Sequence, residues 1–480
     1  MKIMMAASES LPFSKTGGLA DVVYSLSEEL ASSRDNEVSV FTPFYSSIDA
    51  NKYKFKRVAK FRVHMGTNKF ETEIYRVRIK RIVFYLVKND NFFGRENIYG
   101  YFDDGERFAY FCNALLKFIV NKQIQPDIIH CHDWQTGMIP CVLKERADFK
   151  GLFDKTKTVF TIHNPLFKGF FDPDGLGYLY RLDRQIYDNG MVKYDNAVST
   201  FKAALVYADK ITTVSPTHAK ELLTRDSGFG IEELLKDRKD DFVGILNGLD
   251  YGEWNPKTDS LIKENYGLRD FEEGKARNKF AFVRAHLLEE NRPIFSVISR
   301  LTEQKGINQI ITMADYIVKR GGILVILGSG EKWAEDLFRQ FREKHKKHSY
   351  IYLGYYNELA HQIYASSDFI LMPSLFEPCG LTQIIAQKYG SVPIVRKVGG
   401  LADTVVGYNK DIKNQNDATG IMFEQTDKKA AIWALRNAFE LYKHPKKFKR
   451  VRKNCMKLDW SRKIPAVEYY NLYIQALKKN

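Results

Sequence analysis

Two cations and one carboxylate in the second half of the chain are spaced to suit a departing phosphate and a sugar. Ser299-Arg300-Leu301-Thr302-Glu303-Gln304-Lys305-Gly306 follows an apolar run at residues 294–298, and Arg300 and Lys305 would both project from the strand-to-helix loop this order makes. Two fixed cations can balance a diphosphate leaving group where other transferases use a metal ion. Downstream, Pro373-Ser374-Leu375-Phe376-Glu377-Pro378-Cys379-Gly380-Leu381-Thr382 holds one carboxylate in a Pro- and Gly-bounded loop at a strand end. A carboxylate so placed can accept sugar hydroxyls and stabilise positive charge near an anomeric carbon. Gly380 and the start of the next helix offer N–H donors for phosphate.

Two Gly-Gly-Leu-Ala-Asp turns bear on the same chemistry. Lys15-Thr16-Gly17-Gly18-Leu19-Ala20-Asp21 follows the first apolar run, and Lys397-Val398-Gly399-Gly400-Leu401-Ala402-Asp403 follows a later one. Paired glycines let backbone N–H groups approach a ligand with no Cβ in the way, and the helix that follows directs its positive end to the same place. A helix terminus contributes only about 0.3–1 kcal/mol per nearby charge, so a cation is needed as well, and Lys15 supplies it. The second copy reads equally as a tight strand-to-helix corner. Gly328-Ser329-Gly330 fails as a dinucleotide fingerprint because Trp333 stands at the third glycine position. In His130-Cys131-His132 the two imidazoles share one face of a strand and the thiol points away, so no metal site is expected. His163, just before Asn164-Pro165 at a strand end, reads as functional rather than as a core histidine.

These loops need strands and helices to hold them. A chain of 480 residues exceeds one ordinary core, so two or three domains are expected. Apolar runs followed by turn residues and helical periodicity are the pattern of parallel βα units covered on both faces. They fall at residues 2–7, 38–42, 128–131 and 158–162, then at 294–298, 323–327, 350–353, 369–372 and 392–395. Residues 61–64, 71–77 and 82–87 alternate instead and resemble an inserted antiparallel hairpin. The domain boundary falls near Asn247-Gly248-Leu249-Asp250, and residues 460–477 read as a terminal helix that packs back on the first domain. Two Rossmann-like α/β domains facing across a cleft follow, with ligands at the carboxyl ends of the strands.

The net charge is +15, but Lys and Arg are spread among 58 acids and no nucleic-acid motif stands out. A solvated basic surface is expected, one that also suits a phosphate-bearing substrate, and no nucleic-acid partner. No apolar run nears the roughly 20 residues of a spanning helix, and the N-terminus reads as a strand rather than a signal peptide. Five cysteines with no CxxC pair suit a reducing compartment. Cytoplasm and no membrane partner are expected, with a plastid only if a transit peptide is missing from this chain.

These segments resemble the bacterial glycogen synthases and plant starch synthases, glycosyltransferase family 5. The likeness runs along nearly the whole chain, through the Lys15 turn, His130-Cys131-His132-Asp133-Trp134, Thr161-Ile162-His163-Asn164, Thr213-Val214-Ser215-Pro216, Asn247-Gly248-Leu249-Asp250 and the loops of Arg300, Glu377 and Gly399. It implies the α/β fold called GT-B, two Rossmann-like domains across a deep cleft: residues 1–246 on the acceptor side, rejoined by the C-terminal helix 460–480, and residues 247–459 binding the nucleotide sugar. It implies transfer of glucose, with retained configuration, from ADP-glucose to the non-reducing end of an α-1,4-glucan, with UDP-glucose as the alternative donor and no cofactor. By the same resemblance Lys15 and Gly18 meet the donor phosphates and Asp21 supports their loop. Arg300 and Lys305 neutralise the departing diphosphate, and Glu377 binds hydroxyls of the transferred glucose. Tyr355 lies beside the base, and Cys379, Gly380, Leu381 and Thr382 complete the phosphate loop. Asp133 and His163 line the sugar side, with Asn247 and Tyr99 nearby. The acceptor enters on the face the diphosphate leaves, a phosphate oxygen serving as base; double displacement through Asp133 or Glu377 stays open. Ile385 replaces the second glutamate of a wider group of GT-B enzymes, which fits the glycogen synthase branch. Lys168 departs from the family's usual glutamine before Gly169, on the acceptor side. A different GT-B transferase is disfavoured by Lys15-Thr16-Gly17-Gly18-Leu19, and a glucan-binding scaffold without turnover by Arg300, Lys305 and Glu377 together.

Overall fold

The computed structural model describes residues 1–412 and 415–479. The chain divides into two compact units, Met1–Gly248 with Arg462–Asn480, and Leu249–Ser461.

In the first unit one nine-stranded sheet runs in the spatial order Phe242–Gly244, Lys210–Thr213, Lys157–Ile162, Ile128–His132, Lys2–Ala6, Glu37–Pro43, Ile82–Lys88, Asn68–Ile79, Lys56–Met65. Every pairing from Phe242–Gly244 to Ile82–Lys88 is parallel, and the last two are antiparallel. The central strands are apolar throughout because they are covered: Ile3, Met4, Met5, Ile128, Ile129 and Cys131 are all buried. Helix Asp104–Asn121 brings Phe111 and Phe118 against Phe41, and helix Lys463–Lys478 brings Tyr473 to His130. The alternating segments expected as an inserted hairpin are instead the edge of this main sheet. Ile82–Lys88 pairs parallel with Glu37–Pro43 on one side and antiparallel with Asn68–Ile79 on the other. A small antiparallel sheet, Phe170–Phe171, Ala197–Ser199 and Lys193–Tyr194, stands apart from it.

The second unit carries six parallel strands in the order Ser349–Leu353, Ile323–Gly328, Ile294–Ile298, Phe369–Met372, Val392–Arg396, Ile421–Phe423. In chain order this is 3-2-1-4-5-6, the order of a Rossmann sheet. Its direction of growth reverses between Ile294–Ile298 and Phe369–Met372. The loops after those two strands carry Arg300 with Lys305, and Glu377. The expected apolar runs are strands within one residue at each end.

Asp368 pins these two central strands. Its Oδ2 accepts the Ile294 N–H at 2.9 Å and its own N–H donates to the Ile294 carbonyl at 3.0 Å. Lys279 and Arg452 reach the buried carboxylate at 2.6 and 2.5 Å. Burial pushes its pKa up, but the two cations hold it below the ordinary 3.8. All five cysteines are free and buried. Among the described residues no helix is long and apolar enough to cross a membrane.

Removing one member of a buried charge cluster leaves the others uncompensated, at about 3–5 kcal/mol. Asp368→Asn should therefore lower the urea midpoint at neutral pH by that equivalent. A depressed carboxyl stabilises fully above its unfolded pKa and loses the contribution as pH falls through the folded value. The gap between parent and variant midpoints should accordingly shrink below the ordinary carboxyl value of 3.8.

Candidate active site

In the second unit the chemistry-bearing loops interlock at the carboxyl ends of the two central strands. After Ile294–Ile298 the chain makes the turn Glu303–Lys305 and enters helix Ile307–Lys319 through Gly306, whose φ is 72°. A Cβ on Gly306 would lie 2.1 Å from the Pro373 carbonyl, so the helix start is pressed on the end of the neighbouring strand. The Leu375 N–H donates to the Gln304 carbonyl at 2.8 Å. This closeness sets the central contact. Lys305 Nζ donates to both oxygens of Glu377, at 2.9 and 2.7 Å, and Ser374 Oγ donates to Oε2 at 3.0 Å. Glu377 is only 5% exposed, so its charge requires such partners. Arg300 lies in the same loop, exposed, and donates to Gln304 Oε1 at 3.3 Å.

Glycines place these loops by letting backbones touch. A Cβ on Gly399 would lie 2.0 Å from the Glu377 carbonyl, and one on Gly400 would lie 2.1 Å from the Cys379 carbonyl. The Gly400 N–H donates to the Glu377 carbonyl at 3.0 Å. Gln383 Nε2 ties the Cys379 and Gly380 carbonyls, both at 3.0 Å, to Thr404 Oγ1 at 3.1 Å. Of the two readings left open for the second Gly-Gly turn, the geometry is that of a corner, and one that buttresses the Glu377 loop. Gly328 and Gly330 act alike on the cation loop, where their Cβ atoms would lie 1.9 Å from the Ser299 carbonyl and 2.2 Å from the Leu301 carbonyl. Cys379 is buried, Gly380 and Leu381 are half-buried, and Thr382 opens helix Thr382–Lys388 with its hydroxyl on the Ile298 carbonyl at 3.4 Å. Tyr355 is exposed, its hydroxyl donating to Asn357 at 2.9 Å.

The first unit uses its Gly-Gly turn differently. Gly17 has extended φ of −155°, and a Cβ there would meet nothing within 4 Å. Helix Gly18–Leu30 begins exposed, without a side-chain cap. Lys15 pairs with Asp21 at 2.8 Å. Behind the turn lies Glu9, which is 3% exposed and stands outside the sequence motifs. It accepts the Thr16 N–H and, at 3.1 Å, the Thr16 hydroxyl. Burial lifts its pKa to about 7 against those hydrogen bonds and one from Tyr99. The Tyr99 hydroxyl shares a 2.7 Å bond with Ser8.

Asp133, at the end of strand Ile128–His132, has a φ of 57°, uncommon for a residue with a side chain. Its Oδ1 accepts the N–H groups of His163 at 2.7 Å and Asn164 at 3.3 Å, so two neighbouring strand ends are joined. Burial raises its pKa to about 7 despite both donors, and lowers that of His163 to about 3, which keeps the imidazole neutral. His163 Nε2 meets His132 Nδ1 at 3.0 Å, and His130 is held by Tyr473 and Thr161 at 2.8 and 2.6 Å. Among the described residues no group of three His, Cys, Asp or Glu could hold a metal ion. Asn247 is half-buried, and its Oδ1 has no hydrogen-bond partner among the described residues.

The chain is similar to known proteins over its whole length. A family model described as the starch synthase catalytic domain matches residues 2–237, and one described as glycosyl transferases group 1 matches residues 278–454. A glycogen synthase of Geobacillus thermodenitrificans (strain NG80-2) is 39% identical over 100% of this chain and 98% of its own length. One from Clostridium kluyveri is 38% identical over 98% of this chain and 99% of its own. The solved catalytic domain of starch synthase IV from Arabidopsis thaliana, bound to ADP and acarbose, superposes with a TM-score of 0.93 at 32% identity, covering 100% of this chain and 99% of that one. Sucrose-phosphate synthase from Thermosynechococcus elongatus, at 17% identity and a TM-score of 0.61 over 100% of both chains, shares the fold.

The two Gly-Gly turns differ in a way that substitution can measure. Gly400→Ala forces a methyl group into backbone and should cost about 1–3 kcal/mol. Gly17→Ala, in open space at an extended φ, should stay within about 0.5 kcal/mol of the parent. Thermal unfolding of both variants reads the difference.

Proposed function

The chain belongs to the family of glycogen and starch synthases, and we propose that it elongates an α-1,4-glucan by moving glucose, with retained configuration, from ADP-glucose to the non-reducing end. Its fold is GT-B, with a Rossmann-like sheet in each unit. ADP in the starch synthase structure supports this donor. The observation that carries the mechanism is the Lys305–Glu377 pair at the point where the Rossmann sheet reverses direction.

As the bond from the anomeric carbon to the diphosphate oxygen breaks, negative charge grows on the diphosphate and positive charge on the sugar. Lys305 and Arg300 stabilise the first, in loops whose positions are fixed before substrate arrives. Glu377 accepts hydroxyls of the transferred glucose and, beside it, tempers the second. Cys379, Gly380, Leu381 and Thr382 offer backbone donors to phosphate, and Tyr355 flanks the base. On the first unit, Lys15 and Gly18 meet donor phosphate, with Asp21 holding the lysine. Asp133, His163, Tyr99 and Asn247 serve the sugar side. An Asp133 carboxyl with a pKa of about 7 can accept or donate a hydrogen bond near neutrality. A phosphate oxygen of the leaving group takes the proton of the incoming glucan hydroxyl, so no side-chain nucleophile is needed. Five free cysteines agree with the cytoplasm as the place of action.

Radiolabelled glucose transfer to glycogen tests this with both nucleotide sugars, with and without EDTA. The expected outcome is transfer that favours ADP-glucose and survives EDTA. Glu377→Ala and Lys305→Ala should each lower kcat by about 10²–10³, the loss typical of removing one preorganised electrostatic group. Normal turnover by either variant would refute the roles assigned to the pair.

A further inference from the structure

Three imidazoles run from the interior of the first unit to its sugar-side residues. His130 and His132 lie on one face of strand Ile128–His132, because residues two apart on a strand point the same way. Their ring centres are 4.1 Å apart, and His163, just past the neighbouring strand Lys157–Ile162, follows at 5.2 Å from His132. The first two are fully buried and His163 is partly exposed, so of the three only His163 can touch a substrate.

The inner end of this row is clamped. Both His130 nitrogens are used, Nδ1 on the Tyr473 hydroxyl at 2.8 Å and Nε2 on the Thr161 hydroxyl at 2.6 Å. Thr161 shares a further 2.6 Å bond with Thr212. Tyr473 belongs to helix Lys463–Lys478, so the C-terminal helix and two strands together fix this ring. His132 lies against it and spends Nδ1 on His163 Nε2 at 3.0 Å. The other nitrogen of His132, Nε2, is buried and has no hydrogen-bond partner among the described residues. At the outer end Asp133 holds the His163 backbone N–H at 2.7 Å, which leaves only the ring to be aimed.

The unpartnered nitrogen decides which ring donates. Burial pushes His132 well below the ordinary 6.5 and His163 to about 3, so both are neutral and each carries one ring proton. If His163 Nε2 donated, the His132 proton would sit on Nε2, a buried N–H with no acceptor. If His132 Nδ1 donates, its Nε2 is left as a bare lone pair. A lone pair packed among C–H groups loses less than a buried N–H with no acceptor. The His132 proton therefore belongs on Nδ1. His163 then accepts at Nε2 and carries its own proton on Nδ1, which hydrogen-bonds to none of the described residues. The partner of one ring nitrogen sets the role of the other. Resting on the reading of the chain as a glucan synthase, we propose that His132 is a positioning residue for glucose transfer: it donates to His163 Nε2 and so commits the His163 Nδ1–H to an oxygen of the bound sugar. With the protons the other way round, His163 would meet that oxygen only as an acceptor.

Nitrogen-15 labelling of the ten histidines in the full chain reads the tautomers by nuclear magnetic resonance, with His132→Asn and His163→Asn assigning the signals. Both rings should carry the proton on Nδ1. A proton on Nε2 of His163 would overturn the proposal, and this readout needs no variant that might disturb the fold. Glucose transfer to glycogen gives the second readout. His132→Phe should lower kcat about 10–100-fold, the range for partners that orient a histidine, with little change in KM for ADP-glucose. His132→Asn, whose amide can donate to His163, should recover most of that loss. In a His163→Ala background His132→Phe should change kcat less than about twofold, because residues that act through one another are not additive. Equal losses in both backgrounds, or none in His132→Phe alone, would overturn the proposal. A parent chain that transfers no glucose would instead overturn the functional reading, and this role with it, while the tautomers would still be read.

Discussion

Gly399 and Gly400 set their backbone directly against the backbone of Glu377, Pro378 and Cys379, closer than any side chain would permit. The Glu377 carbonyl is held there by the Gly400 N–H, which leaves its carboxylate to meet Lys305 and Ser374. Lys305 is positioned in turn by Gly306 against Pro373, and the Arg300 loop by Gly328 and Gly330 against Ser299 and Leu301. Each charged side chain thus stands on a backbone-to-backbone contact that rotamer changes cannot loosen. Such rigidity is what electrostatic stabilisation of a short-lived charge requires, because groups already in place need not reorganise as the bond breaks.

The first unit reaches a comparable order by other means. Its Gly-Gly turn opens to space at Gly17, and the order comes from carboxylates buried behind the surface. Glu9 collects the Thr16 donors, and Asp133 collects those of His163 and Asn164. One five-residue motif therefore serves two physical ends in one chain: close backbone packing in one unit, and open access to an exposed helix start in the other.

Much of this was legible in the sequence. Strands covered on both faces must be apolar throughout, and the runs at 294–298 and 369–372 are strands with those bounds. Lys210–Thr213, Phe242–Gly244 and Ile421–Phe423 show no apolar run, the first because three of its four residues are polar and the other two because they are three residues long. Alternation marks residues 61–64, 71–77 and 82–87 as antiparallel, but their place at the sheet edge depends on the pairing of Ile82–Lys88 with Glu37–Pro43, which alternation does not encode. Lys305 and Glu377 were legible by residue type and setting. Their contact was not, because they are 72 residues apart and meet only through the adjacency of the first and fourth strands. Glu9 carries a weak signal, a charge three residues after a buried strand.

Retention of configuration is the central claim, and the linkage formed on the glucan tests it most directly. Glycogen elongated with carbon-13-labelled ADP-glucose can be read by nuclear magnetic resonance at the labelled anomeric carbon. The account predicts signal from new α-1,4 linkages alone. Label in β-linked glucose, or released as free glucose with no elongation, would contradict it.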